Sequence, residues 1–310
     1  MVLTIVEAGK LAASNGQDKK AGVIMTFAES SPLLAAMPVV PISGNSYAWT
    51  REKTLPSVAF RGVNEAYTES TGDVETVTEP LKLIGGDLDV DRFLIQTNGP
   101  AVRTAHERMK AVAMGQTIGA KLITGSTASS KKEFDGLAFR FGGGISSVTA
   151  STQVVSNGAA ALSMKNLDAV IDAVDPSIGK RVLVMTLAMR RNMTAFLRGS
   201  GTAIQITQDA FGNPVETYQG LPILVADENG NQAAMAFNEN GNTTSSIYVC
   251  ALGPTGLHMI ENGGIDVRDL GEINTSPVFR TRVEWYTGLV PEHPRCVARL
   301  YNITNATAVA

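Results

Sequence analysis

The clearest hydrophobic pattern in the chain recurs every three or four residues between Pro100 and Thr124. This spacing places apolar and small side chains on one face of an α-helix. Pro100 suits the first turn of a helix, and Gly125 suits the position that follows the last turn. The stripe is narrow, so we expect the helix to pack closely on a sheet or on backbone. Its members are Val102, Ala105, Met109, Val112, Gln116, Ala120 and Ile123.

Residues 45–92 follow a different pattern, in which apolar and polar positions alternate in short runs. Tyr47, Trp49 and Arg51 alternate with polar neighbours, and the pattern closes before Gly85-Gly86. Alternation indicates β-strands. These runs hold too few large apolar residues to form a core of their own. We therefore predict a long extended hairpin that lies on another surface.

The rest of the chain predicts a weakly packed N-terminus and a mixed α/β unit. Residues 1–20 indicate an arm or a frayed helix, and Pro38 and Pro41 make residues 33–42 a poor central strand. Ser163 is a typical helix N-cap. The further predicted elements are helices 163–173 and 187–198, strands 181–186, 221–226 and 246–252, a hairpin of 203–208 with 215–218, and late strands 278–286 and 295–303.

Composition narrows the class of protein. The 310 residues are 44% apolar with a net charge of −3, which favours folded domains and excludes a strongly basic nucleic-acid binder. Cys250 and Cys296 are too few for a disulfide framework and indicate a reducing compartment. No signal peptide and no apolar run of about 18 residues is visible, so we expect no membrane segment.

Charge is spread unevenly along the chain. Residues 99–198 carry a net charge of +7, whereas residues 199–267 contain no Lys or Arg and carry −7. One interpretation is a domain with an acidic, soluble face. The other is an acidic segment that avoids an anionic surface while the basic segment approaches it.

The search for reactive chemistry finds no complete site. His106 begins a zinc-protease-like helix motif, but Lys110 stands where the second histidine is required. Asp87, Asp89 and Asp91 share one face of a strand, which suggests either part of a metal site or, more simply, a solvated edge. We therefore predict no catalytic, cofactor-binding or metal site. The other motifs considered and set aside are Gly199-Ser200-Gly201, Gly142-Gly143-Gly144 and the calcium-loop-like Asp227-Glu228-Asn229-Gly230-Asn231.

The order of these parts, and four phrases of sequence, resemble the major capsid proteins of tailed bacteriophages, which have the Hong Kong 97-like fold. The parts are an arm, a low-hydrophobicity hairpin, a long helix, an α/β unit and closing strands. None of the phrases is a catalytic motif, and each is specific only in combination with the others. The phrases are residues 55–65 (LPSVAFRGVNE), 217–223 (TYQGLPI), 264–272 (GIDVRDLGE) and 280–289 (RTRVEWYTGL).

The resemblance implies an α+β capsid fold with five parts. They are an N-terminal arm and entry strand (1–44), an extended loop (45–92), a peripheral domain (93–157) with a spine helix (100–124), an axial domain (158–267) and strands that return to the peripheral domain (268–310).

The same resemblance implies a structural, non-enzymatic shell protein whose pentamers and hexamers close into an icosahedral head around double-stranded DNA. We expect the loop to contact an adjacent subunit and several basic residues of the long helix to face the DNA nonspecifically. The expected contact residues are Tyr47, Trp49, Arg51, Lys53, Phe60, Arg61, Glu65 and Tyr67. The expected DNA-facing residues are Arg103, Arg108, Lys110 and Lys121.

The expected partners are further copies of the chain, packaged DNA, and separate scaffolding and portal proteins, with no membrane and no cofactor; decoration proteins are left open. The expected location is the virion, and the host cytoplasm during assembly. An encapsulin-type bacterial compartment, which encloses enzymes, is the alternative with the same fold. A tail or adhesion protein and an enzyme are the alternatives of other classes; a tail-tube protein would lack the long helix, and an enzyme would show a pocket with convergent titratable groups.

Overall fold

A computed structural model describes residues 3–15, 18–142, 153–200, 205–208, 211–226, 235–239, 243–274 and 276–309. The helices, α1 to α8 in chain order, are Ile5–Ser14, Asp18–Glu29, Pro32–Ala36, Arg92–Asn98, Ala101–Thr124, Leu137–Arg140, Met164–Ala173 and Leu187–Gly199. The strands, β1 to β15, are Leu3–Thr4, Pro38–Pro41, Ser46–Thr54, Asp73–Pro80, Lys82–Asp91, Val154–Ala160, Lys180–Met185, Gln205–Gln208, Pro214–Tyr218, Leu221–Val225, Thr244–Leu252, Leu257–Glu261, Asp266–Glu272, Val278–Pro291 and Val297–Thr304.

All strands except β3 and β4 belong to one continuous 13-stranded sheet with two lobes. The α/β lobe has the order β6-β15-β11-β7-β10-β9-β8, with β7 and β10 parallel. The loop-bearing lobe runs β1-β2-β12-β14, and β5 and β13 also pair with β14. The lobes meet where Leu252 of β11 pairs with Leu257 of β12.

Strand β11 lies at the centre of the core, and all nine of its residues are buried. Alternate side chains point to opposite faces of a strand. Tyr248 and Cys250 accordingly join the cluster that includes residues of α1, α2 and α5, whereas Val249 and Ala251 join the cluster beneath α7 and α8. One strand thus supplies both layers of the core.

The long helix predicted over 100–124 is present as α5, but its buried face differs from the predicted stripe. Met109 is 65% exposed, while Met114, Gly115, Ile118 and Leu122 are buried. The C-terminal half of α5 packs on α2 and α3, and Phe27 of α2 makes an edge-to-face contact with Trp285 at 5.4 Å. The close packing that we expected occurs at Gly115, where α5 approaches the end of α2. A Cβ at this position would meet Ser30 Oγ and lie 2.7 Å from the Phe27 carbonyl oxygen.

The N-terminal segment is better packed than we expected. Thr4 and Glu7 form a reciprocal capping box at the start of α1, which satisfies two backbone amides. Ile5, Val6 and Ala12 are buried in the main core. The prediction that residues 1–20, as an arm or a frayed helix, bury little core was therefore wrong for α1.

Two predictions about strands were also wrong. Strand β2 is an interior strand between β1 and β12, because Pro38 and Pro41 lie at its two ends, where a missing amide is tolerated. Strand β5 continues through Gly85 and Gly86 and does not end before them. Any larger residue at position 85 would place its Cβ against the Val283 carbonyl oxygen of the partner strand β14. Glycine here permits close strand pairing and does not end the strand.

These pairings bear on two of the predicted part boundaries. The segment 82–91, which we assigned to the extended loop, is a strand of the loop-bearing lobe. Strand β15, which we assigned to the returning strands, lies between β11 and β6 in the α/β lobe. Both placements depend on which distant strands pair with each other.

Among the described residues, no helix has the length and apolar character needed to cross a membrane.

The Gly115 packing gives a prediction with a matched control. Gly115→Ala should lower the free energy of unfolding by about 1–3 kcal/mol, because backbone and Ser30 occupy the space of the new methyl group. Gly22→Ala, in the exposed middle of α2 with open space around it, should raise it by about 0.5–1 kcal/mol. Urea unfolding of the unassembled chain measures both. Equal effects of the two substitutions would contradict the close packing of α5.

Candidate subunit interface

The extended hairpin consists of β3 and β4, which pair with each other and with no other described strand. Its register places Tyr47 opposite Glu79, Trp49 opposite Val77 and Arg51 opposite Glu75. Because alternate residues of a strand share a face, these three pairs form one face of the ribbon. This inner face is the one that meets the rest of the subunit.

The base of the hairpin is packed on β12 and β14. Trp49 is 6% exposed and lies in a cluster with Ile260 and Val290. Its indole Nε1 donates a hydrogen bond to the Glu292 carbonyl oxygen at 3.1 Å. The ring of Tyr47 stacks on Trp49 at 5.8 Å. The first rungs of the hairpin thus belong to the core of their own subunit.

Glu79 adds a buried ion pair at the same level. Its carboxylate lies 2.7 Å from Arg140 Nη2, and both side chains are about 10% exposed. Burial raises the pKa of Glu79, and the Arg140 guanidinium acts against that rise by favouring the ionised carboxylate. This ion pair therefore fixes strand β4 to α6, because separating the partners would leave two buried charges unpaired.

Farther from the base, the hairpin leaves the subunit surface. The Arg51 side chain is still only 10% exposed and bonds Glu75 at 2.8 Å. The next pair, Lys53 with Asp73, is 62% and 59% exposed. The transition from body to free ribbon therefore falls between these two ion pairs.

The tip, residues 55–72, is exposed throughout, although it has some internal order. The Arg61 guanidinium lies 4.8 Å from the centre of the Tyr67 ring, and the Gly62 amide donates to Glu65 Oε2 at 2.7 Å. A soluble monomer rarely exposes so many apolar side chains together. The exposed apolar residues are Leu55 (70%), Val58 (95%), Phe60 (107%), Val63 (92%) and Tyr67 (70%).

The structure thus divides the residues predicted to contact a neighbour. Tyr47, Trp49 and Arg51 pack on their own subunit, whereas the residues from Lys53 to Tyr67 are accessible. Sequence reasoning missed Glu79 and Arg140. No local pattern pairs them, because they come together only when β4 docks beside α6.

The basic residues predicted to face DNA are also divided. Arg103 lies 2.6 Å from Asp269, and Lys121 lies 2.8 Å from Glu133, so these charges are matched within the subunit. Lys110 lies beside Gly86 on the sheet. Arg108 is exposed and forms no ion pair with any residue that the structure describes.

The acidic face of β5 is neither a metal site nor a bare solvated edge. Asp87 bonds Arg282 and Asp89 bonds Arg280 in paired contacts of 2.6–2.9 Å. These arginines, on the neighbouring strand β14, hold the pKa of both carboxyl groups below its usual range. The strand pattern was visible in the sequence, but the partner strand was not.

The other candidate chemistry does not assemble into a site. Cys250 and Cys296 are free and fully buried, and burial raises the pKa of both thiols. Ser200 ends α8. Within the described ranges, no three His, Cys, Asp or Glu side chains are grouped to hold a metal ion. The predicted motifs at 143–144 and 227–231 lie outside the described residues.

Comparisons with known proteins agree with this architecture. The sequence matches the family described as major capsid protein GP7 over residues 15–167. The encapsulin SrpI of Synechococcus elongatus PCC 7942 is similar in structure, with a TM-score of 0.66 at 16% identity over 90% of this chain and 89% of that one. A search of curated protein sequences gave no match.

Two capsids are also similar in structure. The cyanophage A-1(L) capsid protein has a TM-score of 0.66 at 15% identity, covering 88% of this chain and 93% of that one. The capsid of an empty GTA particle gives 0.61 at 16% identity, covering 89% and 90%. The chain therefore has the Hong Kong 97-like fold, which is an α+β fold and is shared by these capsid proteins and the encapsulin.

Together with the family match over residues 15–167, this supports a structural major capsid protein of the tailed-phage type. Its copies form an icosahedral shell, and its place is the capsid of the virion.

The histidine beneath the hairpin gives a pH prediction. His258 is fully buried against the Tyr47 ring, and its Nδ1 lies 3.9 Å from the Glu292 carboxylate. Burial lowers the pKa of His258 from 6.5 to about 4. Between these pH values the unfolded chain binds a proton that the folded chain does not, so stability falls as the pH drops.

The expected loss is about 3 kcal/mol across the window from pH 6.5 to 4. Glu79 and Glu261, whose pKa values are raised, act in the opposite direction in any variant that retains them. The difference between wild type and His258→Phe therefore isolates the histidine. Urea unfolding at pH 7 and pH 4.5 measures it, and an identical pH dependence of the two proteins would refute the assignment.

Proposed function

We propose that copies of this chain form pentamers and hexamers that close into a phage head around double-stranded DNA, with each extended loop lying over the next subunit. One observation carries the proposal. The hairpin is anchored at its base, yet its tip presents apolar side chains that its own chain leaves uncovered. Fully burying a large apolar side chain contributes about 1.5–3 kcal/mol, so a neighbour that covers several of them gains substantial stability.

In this assembly the accessible contact residues are Lys53, Phe60, Arg61, Glu65 and Tyr67, while Tyr47, Trp49 and Arg51 hold the loop in place. The loop is the hairpin of β3 and β4 with its tip. We assign the part of residues 158–267 that belongs to the α/β lobe, up to β11, to an axial domain that points at the local symmetry axis. The hairpin of β8 and β9, which ends the α/β lobe and exposes Ile206, supports that orientation.

We infer that the packaged DNA meets the basic segment 99–198. Contact with phosphates would be nonspecific and sensitive to salt. Arg108 is the best candidate because its charge is unmatched by an ion pair within the described chain. Lys110 is next, and Arg103 and Lys121 contribute less because carboxylates already balance them.

The same proposal includes the other expected partners. Scaffolding and portal proteins would be separate chains, decoration proteins could add to the outer surface, and assembly would take place in the host cytoplasm. We propose that the protein catalyses no reaction and uses no cofactor.

An encapsulin-type compartment is the second candidate, because SrpI matches the fold with the same TM-score as the cyanophage capsid. The two candidates differ in content. A phage head would contain DNA and its gene would lie near terminase and portal genes, whereas an encapsulin would contain an enzyme.

Electron microscopy tests the proposal on particles that contain the full chain and are purified from the cells in which they assemble. Closed shells with rings of five and six subunits, and nuclease-sensitive DNA once they are opened, are the expected result. Monomers, tubes or enzyme-filled shells would contradict it.

The loop tip gives a prediction about assembly. Val58→Ser with Phe60→Ser should leave the fold unchanged, because both side chains lack contacts with the subunit body, and should sharply reduce the yield of shells. Glu69→Gln, in the same exposed tip, is the control and should assemble normally. Sedimentation separates shells from free subunits. Normal yields from the double variant would show that the tip is not an interface.

Arg108 gives a prediction about DNA. Arg108→Glu should weaken binding of the unassembled chain to linear duplex DNA and reduce the slope of log affinity against log salt by about 1. Lys53→Glu, on the exposed hairpin, should leave that slope unchanged. Fluorescence anisotropy over a salt series measures the slope, and equal slopes for all three proteins would argue against the assignment.

A further inference from the structure

Arg140 connects three parts of the subunit. Its Nη2 contacts Glu79 of β4 at 2.7 Å and donates to the Leu289 carbonyl oxygen of β14 at 3.2 Å. Its Nε donates to the Asp135 carbonyl oxygen at 2.8 Å, just before α6. A single planar guanidinium therefore ties the loop strand to the central strand of its lobe.

The platform that carries Arg140 is rigid. Phe134, Leu137 and Phe141 are buried in the main core on either side of it. The Gly136 amide donates to the Gly125 carbonyl oxygen at 2.9 Å, which holds the start of α6 against the end of α5. Movement of the α6 backbone that carries Arg140 would require repacking of this core.

The pair is better suited to fixing geometry than to adding stability. Replacing a buried ion pair by apolar residues of similar volume is often neutral for stability, whereas removing one partner is costly. What apolar residues cannot reproduce is the fixed direction of a guanidinium–carboxylate contact. Glu79 lies opposite Tyr47 in the register, so this contact acts on the first rungs of the hairpin, at the base from which the ribbon extends.

A small rotation at this point becomes a large displacement at the tip. The nine residues of β3 span about 30 Å, so a rotation of about 10° moves the far end of the strand by about 5 Å. That displacement is comparable to the width of a strand and would carry the apolar tip off its contact.

We propose that Arg140 is a positioning residue for assembly, whose contact with Glu79 sets the angle at which the extended loop leaves the subunit and so the curvature of the shell. The inference rests on the proposed function, in which the loop tip docks on the next copy. Its content is separate, however, because the loop angle exists in the unassembled chain.

The test is a distance measurement between two spin labels on the unassembled full chain. The labels are attached at Thr68→Cys in the tip and Ala113→Cys on α5, both exposed, while the native Cys250 and Cys296 are fully buried. The test variant is Glu79→Met with Arg140→Met, which removes the pair without leaving a lone buried charge. The matched control is Lys53→Met with Asp73→Met, which removes the exposed pair of the same hairpin.

The expected result is a distance distribution that broadens by about 5 Å in the test variant and keeps its wild-type width in the control, at closely similar unfolding midpoints. Shells made from the test variant should then show several diameters where wild type shows one. An unchanged distribution in the test variant would overturn the inference.

If circular dichroism shows that the test variant is unfolded, Arg140→Lys decides, because it keeps the charge and loses the planar fork. A broadened distribution in Arg140→Lys supports the positioning role, and a wild-type distribution refutes it. Failure of the wild-type chain to form shells would instead refute the proposed function, whatever the label distances.

Discussion

The hairpin of β3 and β4 can extend from the subunit only because its first rungs are buried against β12 and β14. A two-stranded ribbon has no core, so its order must come from what it packs on. Trp49 supplies the apolar part of that packing, and Glu79 supplies a charge that is stable only beside Arg140. The exposed tip therefore projects from a base that is packed inside the subunit.

The distribution of apolar residues follows from the same constraint. A chain that finishes its burial within itself would place Phe60 and Val58 inside, yet here they are among its most exposed side chains. The body meanwhile has a complete two-layer core, in which all of β11 is buried and its alternate residues serve opposite faces. The body of the subunit thus buries enough apolar surface to fold, while the tip leaves apolar surface uncovered. A shell built from many copies requires both, because neighbouring copies must bury surface on each other.

Charge is used differently inside the subunit and on its surface. The aspartates of β5 are matched by the arginines of β14 in a ladder that keeps this face of the sheet soluble and nearly neutral. On α5, Arg103 and Lys121 are matched by carboxylates, whereas Arg108 forms no ion pair with any described residue. A net charge summed over a segment therefore overstates the charge that reaches a partner, because pairing across strands cancels part of it.

Local rules determined much of this protein from the sequence. Periodicity and caps placed α5, α7 and α8, and alternation placed the hairpin, because these features depend on residues close together in the chain. The family resemblance, carried by turn-and-strand phrases, identified the fold and the class of protein. The buried face of α5, the path of β5 through two glycines, the place of β15 and the Glu79–Arg140 pair were decided only by the tertiary structure. Each of these depends on which distant segment comes to lie alongside, and no local pattern encodes a partner that is far away in the chain.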